Sequence, residues 1–319
     1  MPDLFEGPEK KLEITLCRPD PALRDNRDGR WADVVAASGA AIISHMATDR
    51  MDAYLLSESS LFVWENRVLM ITCGQTILID AVPAILARVD PANVARVFYE
   101  RRSLMHPCAP SQAADFDSEV QRLAQWFPGR SYCIGPADHD HVRVFFSAPA
   151  PVMTQPDTTV QMLMTELAPE RSAAFDARYA GRRAPDAALA GLDRLLPTMQ
   201  TDAHLFSPCG YSLNGIRRDT YCTLHVTPQP ESSYASFETN LRRGDYQDLV
   251  TELIDVFCPG RLCLVMTTGM DRRCSPLHET IGPPSDDYAV TEKGIYAFDG
   301  GYTMSFLNLM RAADGGVAG

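Results

Sequence analysis

Residues 54–62 read Tyr54-Leu55-Leu56-Ser57-Glu58-Ser59-Ser60-Leu61-Phe62. Two apolar, strand-forming segments flank a short polar turn, which predicts a tight antiparallel hairpin. The Glu58-Ser59 peptide bond lies where one strand passes into the next. A serine there can attack the carbonyl that precedes it, cut the chain and leave an electrophilic ketone behind. The same run also suits an ordinary solvated turn, because serine clusters are common in strand–turn–strand segments. The rest of the chain decides between the two.

Strand-like runs recur at 12–17, 53–64, 67–72, 96–100, 131–134, 141–147, 160–167, 204–206, 221–227, 234–238, 261–267 and 302–307. They are rich in Val, Ile, Tyr, Phe and Thr and are bounded by Gly, Pro, Asp or Ser. Helical periodicity marks four segments between them. Trp31, Val34, Val35, Ile42 and Ile43 define one, and 77–89 another with Pro83 as a kink. The others are 116–127 and 246–257, the last ending in Cys258-Pro259-Gly260. Strand–turn–strand–helix recurs near 53–89 and 204–257. The pattern predicts an α+β protein, a four-layer αββα sandwich of two antiparallel β-sheets with helices on the outer faces. Residues 1–319 are expected to form a single domain of two similar halves, about 1–167 and 198–319, joined by the Ala-, Arg- and Pro-rich stretch 168–197.

Composition narrows the function. A chain of 319 residues with 45% hydrophobic content can bury a large core. The net charge of −12 argues against nucleic acid or an anionic membrane as partner. No run of about 18 apolar residues is present, so no membrane span is expected. The acidic start Met1-Pro2-Asp3-Leu4-Phe5-Glu6 does not resemble a signal peptide. Nine cysteines without C-x-x-C spacing read as reduced thiols in a cytoplasmic protein. Only Lys10, Lys11 and Lys293 are lysines, and none sits in a Gly-rich phosphate-binding context. Pyridoxal phosphate, which needs a lysine to hold it, is therefore not expected. His139-Asp140-His141 has no further ligand at metal spacing and reads as a polar loop, so no metal is expected.

Four clusters could carry chemistry, and each also has a plainer reading. Phe5-Glu6-Gly7-Pro8-Glu9 is either a solvated terminus or a binding segment. Cys73, before Gly74 at a strand end, is either a core thiol or a reactive one. The run 206–215 is dense in turn formers and hydroxyls. His225 lies inside an apolar strand, Leu224-His225-Val226, as a satisfied core residue or a catalyst.

Taken together and in order, these motifs resemble the eukaryotic-type S-adenosylmethionine decarboxylase family. The matches are Phe5-Glu6-Gly7-x-Glu9-Lys10, Tyr54-x-Leu56-Ser57-Glu58-Ser59-Ser60-x-Phe62-Val63 and Thr72-Cys73-Gly74. Gln155-Pro156-Asp157, Pro208-Cys209-Gly210-Tyr211-Ser212-x-Asn214-Gly215 and His225-x-Thr227-Pro228 follow, then Ser233-Tyr234-x-Ser236-Phe237-Glu238-Thr239-Asn240.

The resemblance implies that Ser59 attacks Glu58, giving a small chain 1–58 and a large chain 59–319 headed by a pyruvoyl group. That covalent group would form a Schiff base with S-adenosylmethionine. The decarboxylated product is an aminopropyl donor for spermidine synthesis. Ser212 and His225 match processing residues, the first holding the scissile carbonyl and the second taking the Ser59 α-proton. Cys73 matches the proton donor. Phe5 and Phe206 match rings that sandwich the adenine, and Glu9, Glu6 and Glu58 line the substrate pocket.

Two positions depart from the family pattern. Gln229 stands where a glutamate accepts from the ribose hydroxyls, and a neutral acceptor makes a bond roughly half as strong. Glu13, Asp157, Thr159 and Glu238 match a polyamine site, but Gln161 replaces a glutamate and Ile71 a lysine, so putrescine activation is expected to be weak or absent. Gln229 leaves open a pyruvoyl-dependent decarboxylase of ornithine or arginine. A catalytically dead regulatory paralogue is the third reading, and the survival of Ser59, Cys73, Ser212 and His225 counts against it. Family members occur as monomers and as dimers, so the resemblance leaves a homodimer open.

Overall fold

A computed structural model describes residues 9–26, 29–103, 113–149, 157–178, 191–192, 195–196, 198–229, 233–243, 245–269, 278, 282–283 and 285–312. The chain divides into two compact units, Met1–Gln155 and Pro156–Gly319.

The first unit holds β1 (Lys10–Leu16), β2 (Ile42–Ala47), β3 (Met51–Leu56), β4 (Ser59–Trp64), β5 (Arg67–Thr72), β6 (Val94–Ser103), β7 (Arg130–Ile134) and β8 (His141–Ser147). They form one antiparallel sheet in the order β2-β3-β4-β5-β1-β6-β8-β7. The second holds β9 (Asp157–Thr165), β10 (Gln200–Leu205), β11 (Tyr211–Arg217), β12 (Thr220–Thr227), β13 (Tyr234–Thr239), β14 (Arg261–Gly269), β15 (Tyr288–Ala297) and β16 (Tyr302–Arg311). Its order is β10-β11-β12-β13-β9-β14-β16-β15, the first order with eight added to every label. The echo read in the sequence is thus a repeated topology.

Alternation along each strand builds one core per unit. In the first, Leu12, Ile14, Leu61, Val63, Val68 and Met70 face Trp31, Val34 and Val35 of α1 (Arg30–Ala37) and Val82 and Ile85 of α2 (Val82–Leu86). Phe116 and Leu123 of α3 (Ala113–Leu123) join the same cluster. In the second, α4 (Pro169–Ser172) is short, and α5 (Gln247–Phe257) buries Leu249, Val250, Leu253, Val256 and Phe257 against the sheet. Each such side chain contributes about 1.5–3 kcal/mol relative to leaving it exposed. The α+β class and the two antiparallel sheets are as expected.

Three expectations change. The first helix stops at Ala37, because Ser38 caps it and Gly39 takes φ +89°. Ile42 and Ile43, expected on that helix, begin β2. The strands β11 and β15 were not foreseen. In β11, Asn214-Gly215 reads as a turn, yet Gly215 serves close packing: a Cβ there would lie 2.6 Å from the Cys222 sulfur. Lastly, the division between units falls before β9, not near 167. Residues 157–165 pair with both β13 and β14 and so belong to the second sheet.

Candidate active site

The hairpin of β3 and β4 is closed by Ser57 and Glu58, with Leu56 opposite Ser59. Ser57 is committed locally, its Oγ accepting the Ala41 N–H at 3.0 Å. Ser59 is buried and holds φ +136°. A non-glycine residue in that region carries about 1–3 kcal/mol of strain. The strain sits on the residue whose own peptide bond is the predicted point of cleavage.

The Glu58 carbonyl is held by Cys73. The Cys73 backbone N–H donates to it at 3.1 Å, and the Cys73 Sγ lies 3.5 Å from the same oxygen. Two donors on one carbonyl polarise it and match the oxyanion that forms when a nucleophile adds. Cys73 follows the end of β5, and its turn is tied down from behind. The Thr76 hydroxyl donates to the Cys73 carbonyl at 2.7 Å. The buried Lys10 ammonium donates to the carbonyls of Gly74 at 3.2 Å and Thr76 at 2.5 Å. Lys10 and Thr76, which tie down the Cys73 turn, were not singled out in the sequence. Lys10 was read only as part of a motif, since its reach from β1 to the turn depends on register across the sheet.

In the second unit, β11 and β12 place Ser212 opposite His225. The Ser212 hydroxyl meets His225 Nδ1 at 2.8 Å, and the Thr223 hydroxyl meets Nε2 at 2.7 Å. Burial drives the His225 pKa down to about 3. The ring is therefore neutral at ordinary pH, with a hydroxyl on each nitrogen. Thr223 was not foreseen. Its place, two residues before His225 on the same face of a strand, was the available signal.

The remaining predicted residues fall as follows. Phe5 and Glu6 lie outside the described residues, as does Gln155. Glu9 precedes β1 and its carbonyl accepts the Arg102 N–H at 3.0 Å. Phe206 follows β10 half-buried, its ring edge-on to His204 with centroids 4.7 Å apart. Gln229 follows β12, half-buried. Gln161 and Glu238 are directly opposed on β9 and β13, and the Tyr221 hydroxyl donates to Glu238. Asp157 begins β9, and Thr159 is buried two residues along it.

Glu13 is buried in the first unit and already paired. Arg96 donates to it at 2.6 Å and Arg67 at 2.9 Å. Among the described residues no group of three or more His, Cys, Asp or Glu could hold a metal ion. No helix among them is long and apolar enough to cross a membrane.

Comparisons with known proteins show the family. The family model for adenosylmethionine decarboxylase matches residues 2–310. An S-adenosylmethionine decarboxylase proenzyme of Xenopus laevis is 35% identical over 285 residues, 85% of each chain. One from Dictyostelium discoideum is 31% identical over 324 residues, covering 96% of this chain and 86% of its own. A crystal structure of a Trypanosoma brucei AdoMetDC-delta26 monomer aligns with a TM-score of 0.63 at 24% identity, covering 79% of this chain and 99% of that one, a likeness of fold. The chain belongs to the adenosylmethionine decarboxylase family of carboxy-lyases.

Proposed function

We propose that the chain is a proenzyme that cleaves itself between Glu58 and Ser59 and then decarboxylates S-adenosylmethionine, yielding the aminopropyl donor for spermidine synthesis. The observation that carries this reading is the strained, buried Ser59 behind a carbonyl held by Cys73.

The residues divide the work as follows. Ser59 Oγ adds to the Glu58 carbonyl carbon while the Cys73 N–H and Sγ hold the oxyanion. The C–N bond breaks as the C–O bond forms, giving an ester and a free amine and releasing the strain at Ser59. Removal of the Ser59 α-proton then expels the Glu58 carboxylate. A neutral imidazole such as His225, steadied by Ser212 and Thr223, suits that proton. The resulting dehydroalanine hydrolyses with loss of ammonia. The pyruvoyl carbonyl left at residue 59 supplies an electron sink for loss of carbon dioxide. Cys73, fixed by Lys10 and Thr76, is the proton donor to the product carbon.

Gln229 is expected to weaken ribose binding without changing substrate class, since Phe206 is retained. The pairing of Glu13 with Arg96 and Arg67 supports activity that does not depend on putrescine. Its carboxylate is neutralised from within the chain, and Gln161 contributes no charge beside Glu238. Denaturing electrophoresis of the purified protein, followed by labelled carbon dioxide release from S-adenosylmethionine, ornithine and arginine, tests the reading. Cleavage at Glu58 with release from S-adenosylmethionine alone is expected. Release from ornithine or arginine would redirect the substrate assignment, and an intact chain would end the proposal.

A further inference from the structure

The first chemical step moves two protons. Ser59 Oγ must lose one, and the Ser59 nitrogen must gain one as it leaves. Most of the hydroxyls and the ammonium near the scissile bond have other engagements. Ser57 Oγ is bonded to Ala41, Thr76 Oγ1 to the Cys73 carbonyl, and Lys10 Nζ to two carbonyls. Thr72 differs. Its residue is 0% exposed, and its Oγ1 has no hydrogen-bond partner among the described residues. An unsatisfied buried hydroxyl costs stability and calls for a reason.

Register gives that reason. Thr72 is directly opposite Ser59, with Lys10 opposite it on the other side. The flanking bond runs from Cys73 N–H to Glu58 O, so Ser59 and Thr72 form a non-hydrogen-bonded pair. Such pairs bring Cα atoms to about 4.5 Å, the closest approach in an antiparallel ladder. The hydroxyl with no other engagement is therefore on the residue facing the nucleophile.

We infer that Thr72 is a further residue of self-processing, its hydroxyl relaying the Ser59 Oγ proton to the Ser59 nitrogen. Thr72 Oγ1 accepts the proton from Ser59 Oγ and gives its own to the departing nitrogen. The Oγ–C bond forms, the C–N bond breaks, and Thr72 ends as it began. The inference rests on the proposed cleavage at Glu58-Ser59.

Freshly synthesised proenzyme carrying Thr72→Val, Thr72→Ser or no substitution tests it, with cleavage followed by electrophoresis and folding by thermal melting. Thr72→Val removes an unsatisfied hydroxyl from a space of the same shape, so its melting temperature should hold or rise. Its cleavage should nevertheless slow by at least about tenfold, in the range lost with a proton-transfer group. Thr72→Ser, which keeps the hydroxyl, should cleave within about threefold of the parent. Neutral hydroxylamine, which cuts esters and spares amides, should not hasten Thr72→Val, because the block precedes the ester. Should Thr72→Val not fold, Thr72→Ala carries the same expectation. Parent-like cleavage of the valine form, or serine cleaving as slowly as valine, would overturn the relay. A parent that never cleaves would instead overturn the proposed function itself.

Discussion

The two units contain the same hairpin twice, and the copies differ at the residue proposed to react. In the first, a two-residue turn leads through Glu58 into Ser59; in the second, Arg218 and Asp219 lead into Thr220. Both present an acidic residue followed by a hydroxyl. In both, the residue after the next strand but one donates to the acidic residue's carbonyl: Cys73 N–H at 3.1 Å and Asn240 Nδ2 at 3.1 Å. The difference lies in where the backbone strain falls and how wet it is. The positive φ of the second hairpin is on Arg218, at +56°, inside an exposed turn. In the first it is on the buried Ser59, at +136°. Under the proposed cleavage, an acid–hydroxyl dipeptide is not by itself the signal. Strain on the nucleophile's own residue, released when its peptide breaks, is worth roughly ten- to a hundredfold in rate.

Substitution at the two hydroxyls should break the comparison most sharply. Ser59→Ala is expected to leave the chain whole on a denaturing gel, whereas Thr220→Ala should cleave like the parent. A smaller effect is expected from Cys73→Ala. Its backbone N–H still holds the Glu58 carbonyl, so cleavage should proceed slowly, but carbon dioxide release should fall by about 10²–10⁴ for want of the proton donor.

His225 in the second unit offers a pH test. With its pKa near 3, ester breakdown should show no inflection near pH 6.5 as pH falls from about 8 to 5. The unfolded chain protonates this ring below about 6.5 and the folded chain does so only near 3. The resulting stability is full above 6.5 and is lost as pH falls towards 3. His225→Gln should flatten that part of the acid-unfolding curve and accumulate an ester that hydroxylamine cuts.

Arg96→Met should destabilise the first unit by about 3–5 kcal/mol in chemical denaturation, since it takes a guanidinium from the buried Glu13 carboxylate. Added putrescine should change the parent's activity by less than about twofold; a several-fold rise would show that Arg96 and Arg67 do not neutralise the acidic site. Lys10→Met should lower cleavage and decarboxylation together, by about tenfold, through the loosened Cys73 turn.

The β-branched and aromatic runs made most strands legible in the sequence, and the hairpin at 54–62 was read in the right place. What composition hid was set by neighbours across the sheet. Asn214-Gly215 spells a turn, but a strand on each side overrides it. Ile42 and Ile43 extend a helical period, but Gly39 breaks the helix before them. Ser59, Cys73, Ser212 and His225 could be singled out in the sequence because their motifs are local. Lys10, Thr72 and Thr223 were not, because register across the sheet sets what Lys10 and Thr72 face, and Thr223 reaches His225 only once the segment is a strand.

The most direct measurement is the intact mass of the purified protein under denaturing conditions. The account predicts two chains in place of one of 35.2 kDa. One should end in the Glu58 carboxylate, and the other, beginning at residue 59, should be lighter by one ammonia than a serine-headed chain. A single full-length mass, or a cut at Asp219-Thr220, would contradict it.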